Sequence, residues 1–199
     1  MNVVFDIGNV LIGWDPRALY RKIFATEDEV AWFLGNVCTH DWNLEQDRGR
    51  SFADAIAEAT ARHPAYADAI AAYDRRWAET ILGPIAGTVA ILDELAAQGT
   101  PLYAITNWHQ DKFRETRGRF SFLDRFRDIV VSGDERVVKP DPAIYRLLLD
   151  RNGLQASSCV FIDDSPKNVA GAEAVGMRAH HYTSSEALRG YLTGAGILR

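Results

Sequence analysis

Three apolar residues near the start, Val3-Val4-Phe5, run straight into Asp6, with Gly8 two positions further on. β-Branched and aromatic residues in so short a run predict a buried strand. Asp6 then stands at its carboxyl end, the edge where open α/β sheets present their ligands. Beyond Gly83 similar strand signals return at 101–106, 129–132, 159–162 and 178–182, with helix-like segments between them. Strand alternating with helix predicts an α/β fold, a doubly wound parallel sheet wrapped by helices.

Residues 15 to about 82 break this rhythm. Strand-like alternation is almost absent there, and helix-start signals take over. Thr26-Glu27-Asp28-Glu29 is a capping box, in which the Thr and the Glu three residues on satisfy each other's backbone amides. Ser51-Phe52-Ala53-Asp54 repeats the logic ahead of an alanine-rich helix that ends near His63-Pro64, and Pro64 is read as opening a further helix through Ile81. The polar stretches Thr39–Trp42 and Glu45–Gly49 read as a lid loop between the first two of these helices. Pro84 to Gln98 reads as the next helix, with Ile85, Val89, Leu92 and Leu95 on one face and Gly99 closing it. The expected organisation is a core of residues 1–14 and 83–199 carrying a small helical cap at 15–82.

The composition narrows the chemistry. A chain of 199 residues, 47% hydrophobic and 25% charged, is long enough to bury a substantial core. A formal charge of -5 without a dense Lys/Arg run argues against a nucleic-acid or polybasic membrane partner. The two cysteines, Cys38 and Cys159, form no CxxC, so no thiolate metal site is expected and a reducing, cytoplasmic setting is the default reading. The amino-terminal apolar run is broken at Asp6 and lacks a basic flank, unlike a signal peptide.

Three predicted strands end in reactive groups: Asp6, Thr106-Asn107 and Asp163-Asp164. Strand ends on one edge of a parallel sheet converge. Val138-Lys139-Pro140-Asp141-Pro142 adds a cation in a proline-stiffened loop just before a helix. Singly, each residue has a plain alternative: Thr106 and Asp163 suit helix N-caps, and Lys139 suits a solvated surface. Together they suggest more. Adjacent carboxylates repel unless a cation neutralises them, and Mg²⁺ takes oxygen ligands from one or two carboxylates plus a phosphate. Asp6, the Asp163-Asp164 pair and the Gly8 carbonyl are the candidate metal ligands. With Asp6 free to attack, the implied reaction is phosphoryl transfer through an aspartyl-phosphate.

The motifs Phe-Asp-Ile-Gly-Asn-Val, Thr-Asn-Trp, Val-Lys-Pro-Asp-Pro-Ala-Ile-Tyr and Phe-Ile-Asp-Asp-Ser-Pro-Lys-Asn resemble, in order, the four motifs of the haloacid dehalogenase (HAD) superfamily. The resemblance spans the chain, with the helical insertion resembling that family's small cap. It implies Asp6 as nucleophile, Thr106 and Asn107 as phosphoryl-binding residues, and Lys139 as the group steadying the phosphoryl charge. It further implies Asp164 as a direct Mg²⁺ ligand supported by Asp163, and a sheet order of 5-4-1-2-3 in core-strand numbering. The implied partner is a small phosphorylated molecule, with the protein a monomer or homodimer.

One departure matters. Most phosphatases of this superfamily carry a second Asp two residues after the nucleophile, as acid and base, and here that position is Gly8. Such a group is typically worth about 10²–10⁴ in rate. A branch resembling the sugar-1-phosphate phosphatases shares the Asp-x-Gly-Asn-Val wording, which makes a sugar 1-phosphate one candidate substrate. His40 and Asp47 are candidate replacements, although exposed turns favour such residues for capping alone. Trp14, Trp42 and Trp108 are candidate pocket walls, or plain packing. A hydrolytic 2-haloacid dehalogenase and a non-catalytic phosphate binder are the rival readings. The paired aspartates disfavour the first, and a retained nucleophile disfavours the second.

Overall fold

β1 (Asn2–Phe5) is the central strand of a five-stranded parallel sheet in the computed structural model, which describes residues Met1–Arg199. It leads into the ribbon strand β2 (Ile12–Trp14) and then a helical stretch: α1 (Arg17–Tyr20), α2 (Glu27–Asn36), α3 (His40–Asp47), α4 (Phe52–Arg62) and α5 (Ala67–Arg75). β3 (Ile81–Pro84) returns antiparallel to β2, with Ile12 opposite Pro84 and Gly13 opposite Gly83. The remainder alternates: α6 (Ala86–Ala97), β4 (Leu102–Thr106), α7 (Gln110–Arg117), β5 (Asp128–Val131), α8 (Ser132–Glu135), α9 (Pro142–Asn152), β6 (Cys159–Asp163), α10 (Pro166–Ala174), β7 (Arg178–His181) and α11 (Ser185–Gly194). The sheet order β5-β4-β1-β6-β7 is the expected one.

The alternation of side chains along β1 divides the core. Val3 and Phe5 face one layer, and Val4 faces the other. The first layer packs Ile91, Leu92 and Leu95 of α6 and Leu188 and Leu192 of α11; the second packs Ile144, Tyr145 and Leu148 of α9 and Ala172 of α10. β4 and β6 are buried along their whole length, as strands covered on both faces must be. The first layer continues without a gap into the helical stretch through Tyr20, Phe33, Trp42, Tyr73 and Trp77.

The caps follow the sequence closely. Thr26 and Glu29 form the capping box of α2, Ser51 caps α4 by accepting from the Asp54 amide, and Asp141 caps α9 by accepting from Ala143. α9 ends at Gly153, whose φ of 62° lies in the left-handed region that glycine enters without a Cβ penalty.

Three expectations are corrected. The predicted lid loop is the helix α3, capped by Thr39, whose hydroxyl accepts from the Trp42 amide. Its inward face carries Asn43, Gln46 and Asp47, so it lacks the apolar period by which a buried helix is recognised. The helix expected from Pro64 to Ile81 is instead a 3₁₀ turn at Pro64–Tyr66, then α5, then a 3₁₀ turn at Trp77–Thr80. Pro84, expected to open a helix, belongs to β3, and α6 starts at Ala86; Gly13, Gly83 and Pro84 mask the strand signal.

Gly133, in the first turn of α8, marks a close approach of backbones. A Cβ there would lie 2.6 Å from the Gln110 amide nitrogen and 2.9 Å from the Trp108 carbonyl oxygen. Gly133→Ala is therefore expected to cost about 1–3 kcal/mol through overpacking. For a chain of this size that corresponds to roughly 2–4 °C in Tm per kcal/mol. An unchanged Tm in thermal denaturation would contradict this packing.

Candidate active site

The sheet's order sets the site. Because β1 lies between β4 and β6, their carboxyl ends carry Asp6, Thr106 and Asp163 to one edge. The chain turns sharply after Asp6, with Leu11 and Ile12 amides donating to the Ile7 carbonyl and Asn9 at φ 54°, a value that asparagine tolerates. The Asp6 carboxylate accepts from the Ile7 amide at 2.6 Å.

Lys139 is only 2% exposed, and its Nζ lies 2.9 Å from Asp6 and 2.7 Å from Asp163. Asp163 is fully buried and accepts further hydrogen bonds from the Ser165 amide and the Asn168 side chain. Asp164, by contrast, is exposed. Carboxylate oxygens of Asp6, Asp163 and Asp164 lie within 4.8 Å of one another. Burial pushes the Asp6 carboxyl up to about 8, with Asp163 and Asp164 adding to the rise and Lys139 opposing it. Although the residue as a whole is exposed, partial desolvation of the Asp164 carboxyl within the cluster raises it too, helped by Asp163. Burial alone would lower the Lys139 ammonium, but Asp163 and Asp6 outweigh it and hold it above its ordinary value. Three carboxylates against one ammonium leave an excess of negative charge around oxygen donors, a set that fits a hard divalent cation such as Mg²⁺.

Thr106 is fully buried, and its Oγ1 has no hydrogen-bond partner. A buried donor without an acceptor is costly and suits a site for an incoming anion. The Asn107 side chain is differently employed. Its Nδ2 donates to the Lys139 carbonyl at 3.1 Å and its Oδ1 accepts from the Lys139 amide at 2.8 Å. It therefore fixes the backbone that carries Lys139.

The roof of the site comes from α3. His40, Asn43, Leu44 and Asp47 recur at helical spacing and line a cavity of about 390 Å³ together with Asp6 and Lys139. A smaller recess of about 60 Å³ continues inward between Gly8, Asn43, Asp47 and Asn107, walled by Trp14, Trp77 and Trp108. The indole nitrogens of all three tryptophans are buried without partners. Trp42, also considered as a wall, instead packs against Tyr73 with its rings perpendicular. His40 is exposed at the rim, and Asp47 is buried.

Residues that sequence reasoning passed over support this roof. Tyr73 donates to Asn43 Oδ1 at 2.6 Å, and Asn43 Nδ2 donates to Asp47 at 2.9 Å. Ser132 Oγ donates to the Asp47 carbonyl at 2.6 Å while accepting from the Trp108 amide, tying the end of α3 to the sheet edge. Tyr73 and Ser132 carry no local signal, because each acts through partners distant in the chain. Trp77 was likewise hidden within a segment read as continuous helix.

The chain is similar to proteins of known kind. It is 29% identical over 182 residues to a sesquiterpene phosphatase of Aspergillus oryzae, covering 92% of this chain and 89% of that protein. A phosphoglycolate phosphatase of Rhodospirillum rubrum is 36% identical over 91 residues, which are 46% of this chain and 38% of that one. In fold it resembles a HAD family enzyme from Bacteroides thetaiotaomicron solved with magnesium and inorganic phosphate, with a TM-score of 0.68 and 18% identity over 92% of this chain and 94% of that one. The family model for haloacid dehalogenase-like hydrolases matches residues 40–181, taking in Thr106, Lys139 and the Asp163-Asp164 pair and beginning downstream of Asp6. The chain belongs to the haloacid dehalogenase-like hydrolases, and it is a hydrolytic enzyme of that family.

Proposed function

We propose that this protein is a Mg²⁺-dependent phosphatase that hydrolyses a small phosphate monoester through an aspartyl-phosphate on Asp6. The observation that carries the reading is the meeting of three carboxylates with the buried Lys139 beneath one cavity. Phosphatase relatives and a related fold solved with magnesium and phosphate support it.

The residues divide the work. Asp6 attacks phosphorus. Lys139 offsets charge on the transferring group while holding Asp6 and Asp163 in place, and Asn107 positions Lys139. The unpartnered Thr106 hydroxyl donates to a phosphoryl oxygen. Asp6, Asp164 and the Gly8 carbonyl would hold Mg²⁺, with Asp163 as a buttress already saturated by hydrogen bonds. When bound, the metal supplies Lewis-acid polarisation of the phosphoryl group.

Residues 15–82 act in this reading as a cap over the core of 1–14 and 83–199, with α3 as its contact to the substrate. A sugar 1-phosphate remains a candidate because indole faces and amide groups suit a polyhydroxylated ring. A 2-haloacid is disfavoured, since its carboxylate would meet Asp163 and Asp164 without a neutralising cation.

Hydrolysis of an aryl phosphate with Mg²⁺, and again with excess chelator, tests the reading. Turnover is expected only with the metal, and a haloacid is expected to be inert. Chelator-resistant release of halide from 2-chloropropionate would overturn it.

A further inference from the structure

Gly8 leaves the phosphatase without the side chain that usually protonates the leaving alcohol, and the space it vacates is open. A Cβ placed at Gly8 would have no atom within 4 Å. The same small recess that Gly8 lines is lined also by Asp47, the last residue of α3.

We propose that Asp47, reaching down from the cap, is the general acid and base of this enzyme. The inference rests on the phosphatase reading with Asp6 as nucleophile. Four observations carry it. Asp47 and His40 share the inward face of α3, but His40 is exposed whereas Asp47 is 7% exposed. Asp47 lines both the inner recess, with Gly8, and the larger cavity, with Asp6 and Lys139. It has no salt-bridge partner, in contrast to Asp6 and Asp163. Finally, it is oriented: Asn43 Nδ2 donates to one oxygen, and Asn43 is itself fixed by Tyr73. A residue serving only to cap or tether its helix needs none of this.

Its proton affinity suits the task. Burial pushes the Asp47 carboxyl up to about 7, while the His109 backbone amide, Lys139 and Asn43 hold it lower than burial alone would. Both forms are thus present near neutrality, where a group that must give and then take a proton works best.

The steps balance. An Asp6 oxygen bonds to phosphorus as the phosphorus–alkoxide bond breaks, and the Asp47 carboxyl gives its proton to the departing alkoxide, releasing the alcohol. Water then enters. The Asp47 carboxylate takes a proton from it as the water oxygen attacks phosphorus and the Asp6–phosphorus bond breaks. Phosphate leaves, Asp6 is a carboxylate again, and Asp47 is protonated again.

The test compares an aryl phosphate, whose leaving group needs little protonation, with an alkyl phosphate, whose leaving group needs much, both with Mg²⁺. Asp47→Asn is expected to lower kcat/KM by about 10²–10⁴ on the alkyl ester and by less than about 10 on the aryl ester. Adding Gly8→Asp in the same chain is expected to recover alkyl ester turnover, because an acid is restored in the same recess. Equal losses on both esters, or no loss, would overturn the proposal for Asp47 while leaving the Asp6 reading intact. Turnover that survives Asp6→Asn would overturn both. Should Asp47→Asn fold poorly, the wild type decides: a shallow dependence of kcat/KM on leaving-group basicity agrees with an internal acid, and a steep one contradicts it.

Discussion

Asp6→Asn is expected to abolish turnover of every phosphate ester, by about 10³-fold or more, without lowering stability. The amide cannot form the acyl-phosphate, and residues acting as one covalent unit lose most of their effect when any member is removed. Stability should follow the opposite course. Asp6 is buried beside Asp163 and Asp164, and burial together with their charge disfavours its ionised form. Replacing it with a neutral isostere removes the cost of charging this buried position while leaving Lys139 its 2.7 Å contact with Asp163. The variant should melt at or above the wild-type temperature in metal-free buffer. A strong loss of stability would mean that Asp6 is chiefly a structural partner of Lys139.

Lys139→Met is expected to damage both properties. The ammonium is 2% exposed and bridges Asp6 and Asp163, so the substitution leaves two buried carboxylates without their common partner. Breaking a buried pair from one side costs about 3–5 kcal/mol. In a chain of this length that is roughly 10 °C in Tm. Removing a positive group from a developing phosphoryl charge is expected to cost a further factor of about 10²–10³ in kcat. The pair of effects is diagnostic when Mg²⁺ is added. A cation that binds the folded carboxylates stabilises them by mass action, so part of the lost Tm should return with Mg²⁺ while the activity does not. Thermal denaturation with and without Mg²⁺ checks this, and a variant as stable as the wild type would contradict the placement of Lys139.

The parallel core was legible because its signals are local. Val3-Val4-Phe5 and Cys159–Ile162 are wholly apolar, as strands covered by helices on both sides must be, and Gly153 and Asp141 mark the ends of α9 in the sequence itself. The strand-end residues were legible for the same reason, since Asp6, Thr106 and Asp163 each follow or finish an apolar run. The roof was harder to read. α3 buries Asn43, Gln46 and Asp47, and a helix with a polar inner face has no hydrophobic period to betray it. Asn43 is made acceptable inside by the distant Tyr73 hydroxyl, which no spacing rule predicts, while Gln46 and Asp47 bond within their own helix and its end, to Trp42, Arg50 and Asn43. The β2–β3 ribbon was missed because glycine and proline fill it. The family resemblance implied a phosphoryl-binding role for Asn107, and its side chain is engaged with the backbone of Lys139.

The central claim is that Asp6 becomes phosphorylated. Wild-type protein mixed with an aryl phosphate and Mg²⁺, quenched in acid within one turnover and mapped by peptide mass spectrometry, tests it directly. Phosphate is predicted on the peptide bearing Asp6 and on no other, with none when the metal is chelated. Turnover without any phosphorylated peptide, or with the phosphoryl group on another residue, would contradict the account.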